Sequence, residues 1–153
     1  MIGLVVAIII VNFITIKVHK KQLSYSQILS VYLFSISLQL LFDIFVDFKY
    51  HGYWYFTRDI DWALFLYQLF LIPSVNIIFL NLYPFDKPIY IKIATIIIWD
   101  IFIFIYECIA LLPQPWGYFH YGWWKWWYSP LLNPLLLYIL IKYFRLVTKL
   151  EKQ

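Results

Sequence analysis

The chain has 153 residues, which sets a single domain over 1–153 as the expectation. It is 64% hydrophobic and 13% charged, about half the charged share of an ordinary soluble domain. A soluble fold of this size leaves much of its surface in water and cannot hide so much apolar side chain, so a water-soluble globule is excluded. The net charge of +4 does not point to nucleic acid, because no basic stretch lies in a polar domain. In a membrane chain the position of the charge matters more than its sum.

Backbone groups in lipid must be satisfied internally, so the apolar stretches are expected to be helices. Five follow in chain order, at about residues 2–18, 24–48, 62–82, 88–112 and 130–147. The fold class is therefore all-α: a polytopic membrane helical bundle of five transmembrane helices with a short Trp-rich interfacial segment. The first stretch is near the lower limit of about 17 residues for a span. It has its positive charges after the apolar run and no A-x-A pattern, so it reads as a retained anchor, not a secretory signal. Asp61 is placed to cap helix three. Pro73 lies inside that helix and should free the carbonyl of Leu69. The pair Tyr83-Pro84 stops it, and Pro88 suits the first turn of helix four. Ser129-Pro130 and Asn133-Pro134 are alternative starts for helix five, each a cap followed by proline.

With five spans, Lys17, Lys20, Lys21, Lys87, Lys92, Lys142, Arg145, Lys149 and Lys152 fall on one side, and Lys49, Arg58 and Lys125 on the other. The positive side is cytoplasmic. The expected orientation puts the N-terminus outside and the C-terminus inside, in a multi-pass cell-membrane protein.

Residues 118–129, "YFHYGWWKWWYS", then lie outside. Trp and Tyr collect at the membrane–water boundary because their rings are apolar and their N–H or O–H groups need polar partners. As a helix, the segment would put Trp123, Trp126 and Trp127 on one face and Tyr121, Lys125 and Tyr128 on another. That arrangement is a short helix lying flat, with Trp in the acyl boundary and Lys125 toward phosphate. The rival is an aromatic box for a quaternary amine or a sugar, built from Trp123, Trp124, Trp126, Trp127, Lys125 and His120. The run "YHGYWYF" at 50–56 is also outside, as a second part of a belt or as the rim of a pocket. In "TRDID", at 57–61, Arg58 is either a solvated turn residue or a partner for lipid phosphate or Asp47.

Ionisable groups within spans are expensive and face the bundle interior. Asp43 and Asp47 lie on helix two, Asp100 and Glu107 on helix four. Ser35, Gln39, Asp43 and Asp47 recur every four residues as one stripe. Asp100 and Glu107, seven apart, share a face. Depth along the helices, at ~1.5 Å per residue, sorts Asp43, Gln68, Glu107 and Asn133 into an outer polar layer and Asn12, Gln39, Asn76 and Asp100 into a deeper one. No Lys or Arg sits at those depths to pair with the acids. Asp100 is the best candidate for a neutral carboxylic acid, with Asn76, Gln39 or Asn12 as its partners. The residues Asp43, Asp47, Asp100, Glu107, Gln39 and Asn76 are either a register-fixing network or a site open to the outside for a proton, a cation or a polar headgroup.

No catalytic set, metal site or cofactor is indicated. Cys108 is alone in an apolar run and reads as a buried inert thiol. His19, His51 and His120 are far apart, and the glycines form no phosphate-cradling loop.

From about residue 57 to 146 the chain resembles an uncharacterised family of small five-helix integral membrane proteins from spore-forming Firmicutes, bacilli and clostridia among them. The likeness lies in the order and spacing of Arg58, "P..NIIFLNLYP" from Pro73 to Pro84, Glu107 late in helix four, and "GYFHYGWWKWWYS" leading into helix five. Many of those proteins have an acid early in helix three, where this chain has Gln68. Helices one and two do not contribute. The resemblance implies a bacterial cytoplasmic membrane and no particular activity.

Small size, short loops and the lack of a catalytic set lead to a non-enzymatic integral membrane protein as the first expectation. It would be an accessory or scaffold component of the cell envelope, acting through membrane lipids and protein partners or as a homo-oligomer. The alternative is a small transport or ligand-binding protein with an outward-facing acidic cavity. An enzyme acting on lipid, with Glu107 and His120 as acid and base, is a third and weaker reading.

Overall fold

The computed structural model describes residues 1–18, 23–59 and 62–152. Asp61, expected as a cap, Lys20 and Lys21, counted as charges, and His19 lie outside the described residues. Five helices form: α1 Ile2–Val18, α2 Tyr25–Lys49, α3 Trp62–Leu82, α4 Ile89–Ala110 and α5 Tyr128–Leu150. The last four are long and apolar enough to cross a membrane; α1, with 17 residues, is shorter.

The element ends have local causes. Ser24 opens α2 with a reciprocal capping box: its Oγ accepts from the Gln27 N–H and its own N–H donates to Gln27 Oε1, both at 3.1 Å. Pro88 is the cap of α4 and precedes its first turn. Helix α5 begins at Tyr128, ahead of both expected starts. Pro130 then falls in its first turn, where a missing N–H is harmless, and Pro134 is carried inside.

Two helices widen locally. Residues Ile44–Lys49 of α2 and Tyr67–Leu71 of α3 are π-helical, with Tyr50 N–H bonding Phe45 O and Ile72 N–H bonding Tyr67 O. The turn in α3 directly precedes Pro73, which has no N–H to return to the Leu69 carbonyl. That carbonyl accepts the Tyr32 hydroxyl at 2.5 Å, so a neighbouring helix supplies a donor where the proline supplies none. In α2 the wider turn has a second effect. A four-residue step in an α-helix drifts by about 40°; a wider turn takes some of that drift back. Ser35, Asp43 and Asp47 all end up buried on the inner face.

The termini of the elements gather at two ends. At one, Met1, the 50–59 segment and the 111–127 segment meet; the Met1 amine donates to Pro115 O at 3.3 Å. At the other, Gln27 Nε2 at the start of α2 donates to Glu151 Oε2 beyond α5 at 2.7 Å, and Phe85 packs on Phe144. Around the bundle α1 packs on α3, α3 on α2, α2 on α5 and α5 on α4. No comparably close backbone packing joins α4 to α1, α2 or α3 among the described residues. Side chains make those contacts instead: Leu4 of α1 and Ala110 of α4 share one buried cluster, and Trp99 of α4 packs on Phe79 of α3 at 5.6 Å.

The fold departs from all-α at the first end. The aromatic runs at 50–56 and 118–129 pair as two short antiparallel strands, β1 Tyr53–Tyr55 and β2 Phe119–Tyr121, in the register Tyr53↔Tyr121, Trp54↔His120, Tyr55↔Phe119. Aromatic residues favour a pleated, half-buried surface, and two such runs on one end can satisfy each other's backbone. His51, at φ 50°, stops α2 in a left-handed turn, with the His51 and Gly52 N–H groups bonding the Asp47 and Val46 carbonyls. Gly122 leaves β2 so close to the carbonyl of His51 that a Cβ would collide with it.

The core splits accordingly. Away from the strands it is mostly aliphatic, with Val31, Ile77, Phe79, Leu80, Leu137, Leu140 and Ile141. Beside the strands it is largely aromatic, with Tyr53, Tyr55, Tyr118 and Phe119 joined by Leu4, Leu64, Leu71 and Ala110.

Candidate functional site

The polar residues of the bundle form separate clusters, not the two expected layers. Asp43 is fully buried and its carboxylate accepts three bonds: Gln39 Nε2 at 2.9 Å, Tyr53 OH at 2.6 Å and Gln68 Nε2 at 3.0 Å. Gln39, assigned to the deeper layer, thus reaches the outer one, because a side chain four residues away on a helix is a neighbour. Tyr53 was not singled out from the sequence as an acid partner; β1 brings it there. Asp47 is 2% exposed, and its Oδ1 has no hydrogen-bond partner among the described residues.

Asp100 accepts from Asn133 Nδ2 at 3.1 Å. Asn76, Gln39 and Asn12, its expected partners, are engaged elsewhere. Asn76 donates to Ser35 Oγ at 2.9 Å, Gln39 to Asp43, and Asn12 accepts from Ser74 Oγ at 2.9 Å. The reason is the packing order: α4 lies against α5, so Asp100 meets Asn133 of α5 and not the amides of α1, α2 or α3. Cys108 is exposed, not buried, on the outward face that α4 shares among Ile101, Ile105 and Ile109. Arg58 is exposed, with its guanidinium over the Trp54 ring at 4.6 Å rather than against Asp47.

Glu107 belongs to a third cluster. Its Oε1 accepts the Tyr121 hydroxyl and, at 2.7 Å, the Ser129 hydroxyl. The Trp124 indole N–H donates to Ser129 Oγ at 3.1 Å, extending the chain of donors. Among the described residues Glu107 Oε2 accepts no hydrogen bond.

The tryptophan segment is not a flat helix. After β2 it runs through bends and turns until α5 begins at Tyr128. Pairing of β2 with β1 fixes its first part in extended form, and Gly122 turns it. Three of its four tryptophan rings gather round Tyr128, Trp123 at 6.2 Å, Trp124 at 5.1 Å and Trp127 at 4.0 Å. Trp124 points inward against Phe42 and Tyr53 at 6.1 and 5.5 Å, while Trp126 lies 6.2 Å from Phe104 of α4. Trp127 lies 4.0 Å from Tyr128 with the rings tilted by 39°, and Trp123 donates to the Tyr50 carbonyl at 2.7 Å. Lys125 and His120 are exposed, with His120 against Trp54 at 5.8 Å. Of the expected box, Trp123 and Trp124 lie 5.9 Å apart and share Tyr128 with Trp127, whereas Trp126 and His120 pack on Phe104 and Trp54. His120 and Glu107 likewise do not meet: cross-strand pairing sends His120 out to Trp54 and Tyr121 in to Glu107.

What the elements do enclose is a cavity of about 560 Å³ in the bundle interior. Its size falls within the roughly 300–1,000 Å³ of small-molecule sites. All five helices and both strands contribute to its wall. The strand end is aromatic, with Phe42, Tyr53, Tyr55, Tyr67, Tyr106, Tyr118, Phe119 and Trp124. The deeper part is mainly aliphatic, with Ile14, Val75, Ile78, Leu132, Leu136 and Leu140. Ser35, Gln39, Asn76, Glu107, Ser129 and Asn133 add polar points. Asp43, Asp47 and Asp100 are not in the wall. Of the four acids picked out from the sequence, Glu107 alone reaches the cavity. Spacing along one helix could not reveal this, because the wall is set by which helices pack together. Trp99, another wall residue, holds a buried indole N–H without a partner among the described residues.

Outside the membrane-spanning segments, burial raises the phenols of Tyr53, Tyr55, Tyr118 and Tyr121 well above the ordinary tyrosine range. A negative neighbour adds to this for Tyr53, through Asp43, and for Tyr121, through Glu107. Both stay protonated and therefore act as donors to those carboxylates.

Comparison with known proteins finds no match to this chain among family models, curated proteins or solved structures.

Proposed function

We propose that this is a ligand-binding integral membrane protein which takes an amphiphilic molecule into the cavity between its helices. The cavity carries the reading. It combines a long, mainly apolar pocket with a few polar groups, of which Glu107 and Ser129 lie among the aromatic rings at one end, the pattern of a site for a molecule with a tail and a head. All five helices cross the membrane in this reading, with the strand end outside and both Lys17 and the basic C-terminal stretch at the cytoplasmic face. The resemblance noted above supports a bacterial cytoplasmic membrane as its location. Residues 118–129 roof the cavity and set its exposed rings, Trp123, Trp126 and Trp127, at the lipid–water boundary.

Native mass spectrometry after gentle extraction tests this. The expected result is a bound amphiphile that is lost from Leu136→Trp, a substitution that fills the pocket with apolar volume. Retention by a correctly folded Leu136→Trp protein overturns the cavity as the site. Reporter fusions at both termini test the orientation; a cytoplasmic N-terminus overturns it.

The accessory or scaffold role is the second reading. The observation in its favour is the wide apolar surface of α1 and α4, including Phe13, Ile98, Phe102 and Ile105. A specific co-purifying chain with no retained small molecule would select it.

A further inference from the structure

We infer that the head of the cavity ligand is a cation, an amine or quaternary ammonium held by Glu107 and the surrounding aromatic rings. This rests on the binding reading above and narrows it to a chemical class.

Three observations converge. First, among the described residues the cavity wall carries Glu107 as its carboxylate and no lysine, arginine or histidine. An anionic head would meet a negative group with nothing to offset it in a low-dielectric site, whereas a cation completes the charge balance. Second, Glu107 is held in place. Tyr121 and Ser129 both donate to Oε1, and Trp124 fixes Ser129 in turn, which leaves Oε2 for a ligand. Third, the end of the cavity that holds Glu107 is walled by aromatic rings. Tyr53, Tyr67, Tyr106, Tyr118 and Phe119 offer π faces, and rings of this kind favour quaternary ammonium groups. The exposed tryptophans Trp123, Trp126 and Trp127 are not in the cavity wall. The interior rings, contributed by four elements, are the ones that share a cavity. The apolar remainder of the pocket suits an alkyl tail attached to that head.

The test compares dodecyltrimethylammonium, dodecanol and laurate with the protein in maltoside micelles, reading Trp fluorescence and thermal shift. Micelles without protein correct for partitioning. The expected order is cation, then alcohol, then carboxylate, with at least about a tenfold preference for the cation over the alcohol. Glu107→Gln keeps an acceptor for Tyr121 and Ser129 and removes the charge. It is expected to erase most of that preference of cation over alcohol. Equal binding of cation and alcohol by wild-type protein overturns the inference but leaves the cavity reading standing. Binding of none of the three, with Leu136→Trp indistinguishable from wild type, overturns both. The wild-type comparison needs no variant, so a failure of Glu107→Gln to fold does not protect the idea.

Discussion

The strand end and the opposite end of this bundle bury their residues in different ways. At the end holding Leu23, Leu80 and Phe144, mostly aliphatic side chains interlock between helices of regular geometry. At the strand end phenols, other rings and carboxylates join the aliphatic side chains in the interior, and there the backbone is irregular. Two π-helical turns, a strand pair and left-handed residues at His51 and Phe56 are all found in that half. Aliphatic groups have no directional needs, so regular helices can pack them. Hydroxyls and carboxylates need partners at fixed distances and angles. The chain meets that need by bending toward them. A site with chemical specificity is therefore expected at the end where the regular pattern is broken.

The sharpest way to break this comparison is Asp43→Ala. It would leave Gln39, Tyr53 and Gln68 as buried donors without their acceptor. Breaking such a cluster is expected to cost about 3–5 kcal/mol. Thermal or denaturant unfolding in micelles measures it. A loss under about 1 kcal/mol would mean that the polar cluster does not organise its end of the bundle.

Alkaline pH attacks the same end more diffusely. The folded-state pKa values of Tyr53, Tyr55, Tyr118 and Tyr121 lie above their ordinary 10.0, chiefly through burial. Protonated phenol is thus favoured by folding. Its contribution is complete below pH 10 and is lost as pH rises beyond it. Stability should fall steeply above about pH 10, and phenolate absorbance from these tyrosines should appear together with unfolding. Phenolate appearing well before any loss of structure would contradict their burial.

Tyr32→Phe tests the junction between the two halves. It removes the donor to the Leu69 carbonyl and should cost about 1–1.5 kcal/mol. In a Pro73→Ala background an N–H becomes available at position 73, so the same change should cost less. Equal cost in both backgrounds would separate the tyrosine from the proline.

Much of the helical scaffold was legible in the sequence, and for physical reasons. Lipid demands internally satisfied backbone, so long apolar runs translate directly into helices, and α1 and α3 run from 2 to 18 and from 62 to 82 as read. The inward stripe from Ser35 to Asp47 was legible too, because side chains four apart share a face. The strand pair was not. Residues 53–55 and 119–121 become strands by meeting each other across more than sixty positions of chain, and neither run declares this alone. Without that pairing the Trp segment reads as an amphipathic helix. The partners of the acids were hidden for a related reason. Depth along each helix is a local quantity, but Asp100 meets Asn133 because α4 packs on α5, and Tyr53 meets Asp43 because β1 folds back over α2. The cavity, bounded by every helix, is the least local feature and the least readable.

Asp100→Asn carries the smallest expected effect and the cleanest contrast with Asp43. Asp100 makes one side-chain bond, from Asn133 at 3.1 Å, and is only partly buried. A carboxamide retains an oxygen to accept that bond. Interhelical contacts of this kind in membranes average about 0.6 kcal/mol, and the substitution preserves most of the interaction. Its unfolding midpoint should therefore stay close to that of the wild-type protein, and dodecyltrimethylammonium binding should not change, because Asp100 is outside the cavity wall. A strong effect of Asp100→Asn on cation binding, equal to that of Glu107→Gln, would move the charged site from the aromatic end to the middle of α4. The two ends would then not differ in function in the way their backbones differ in form.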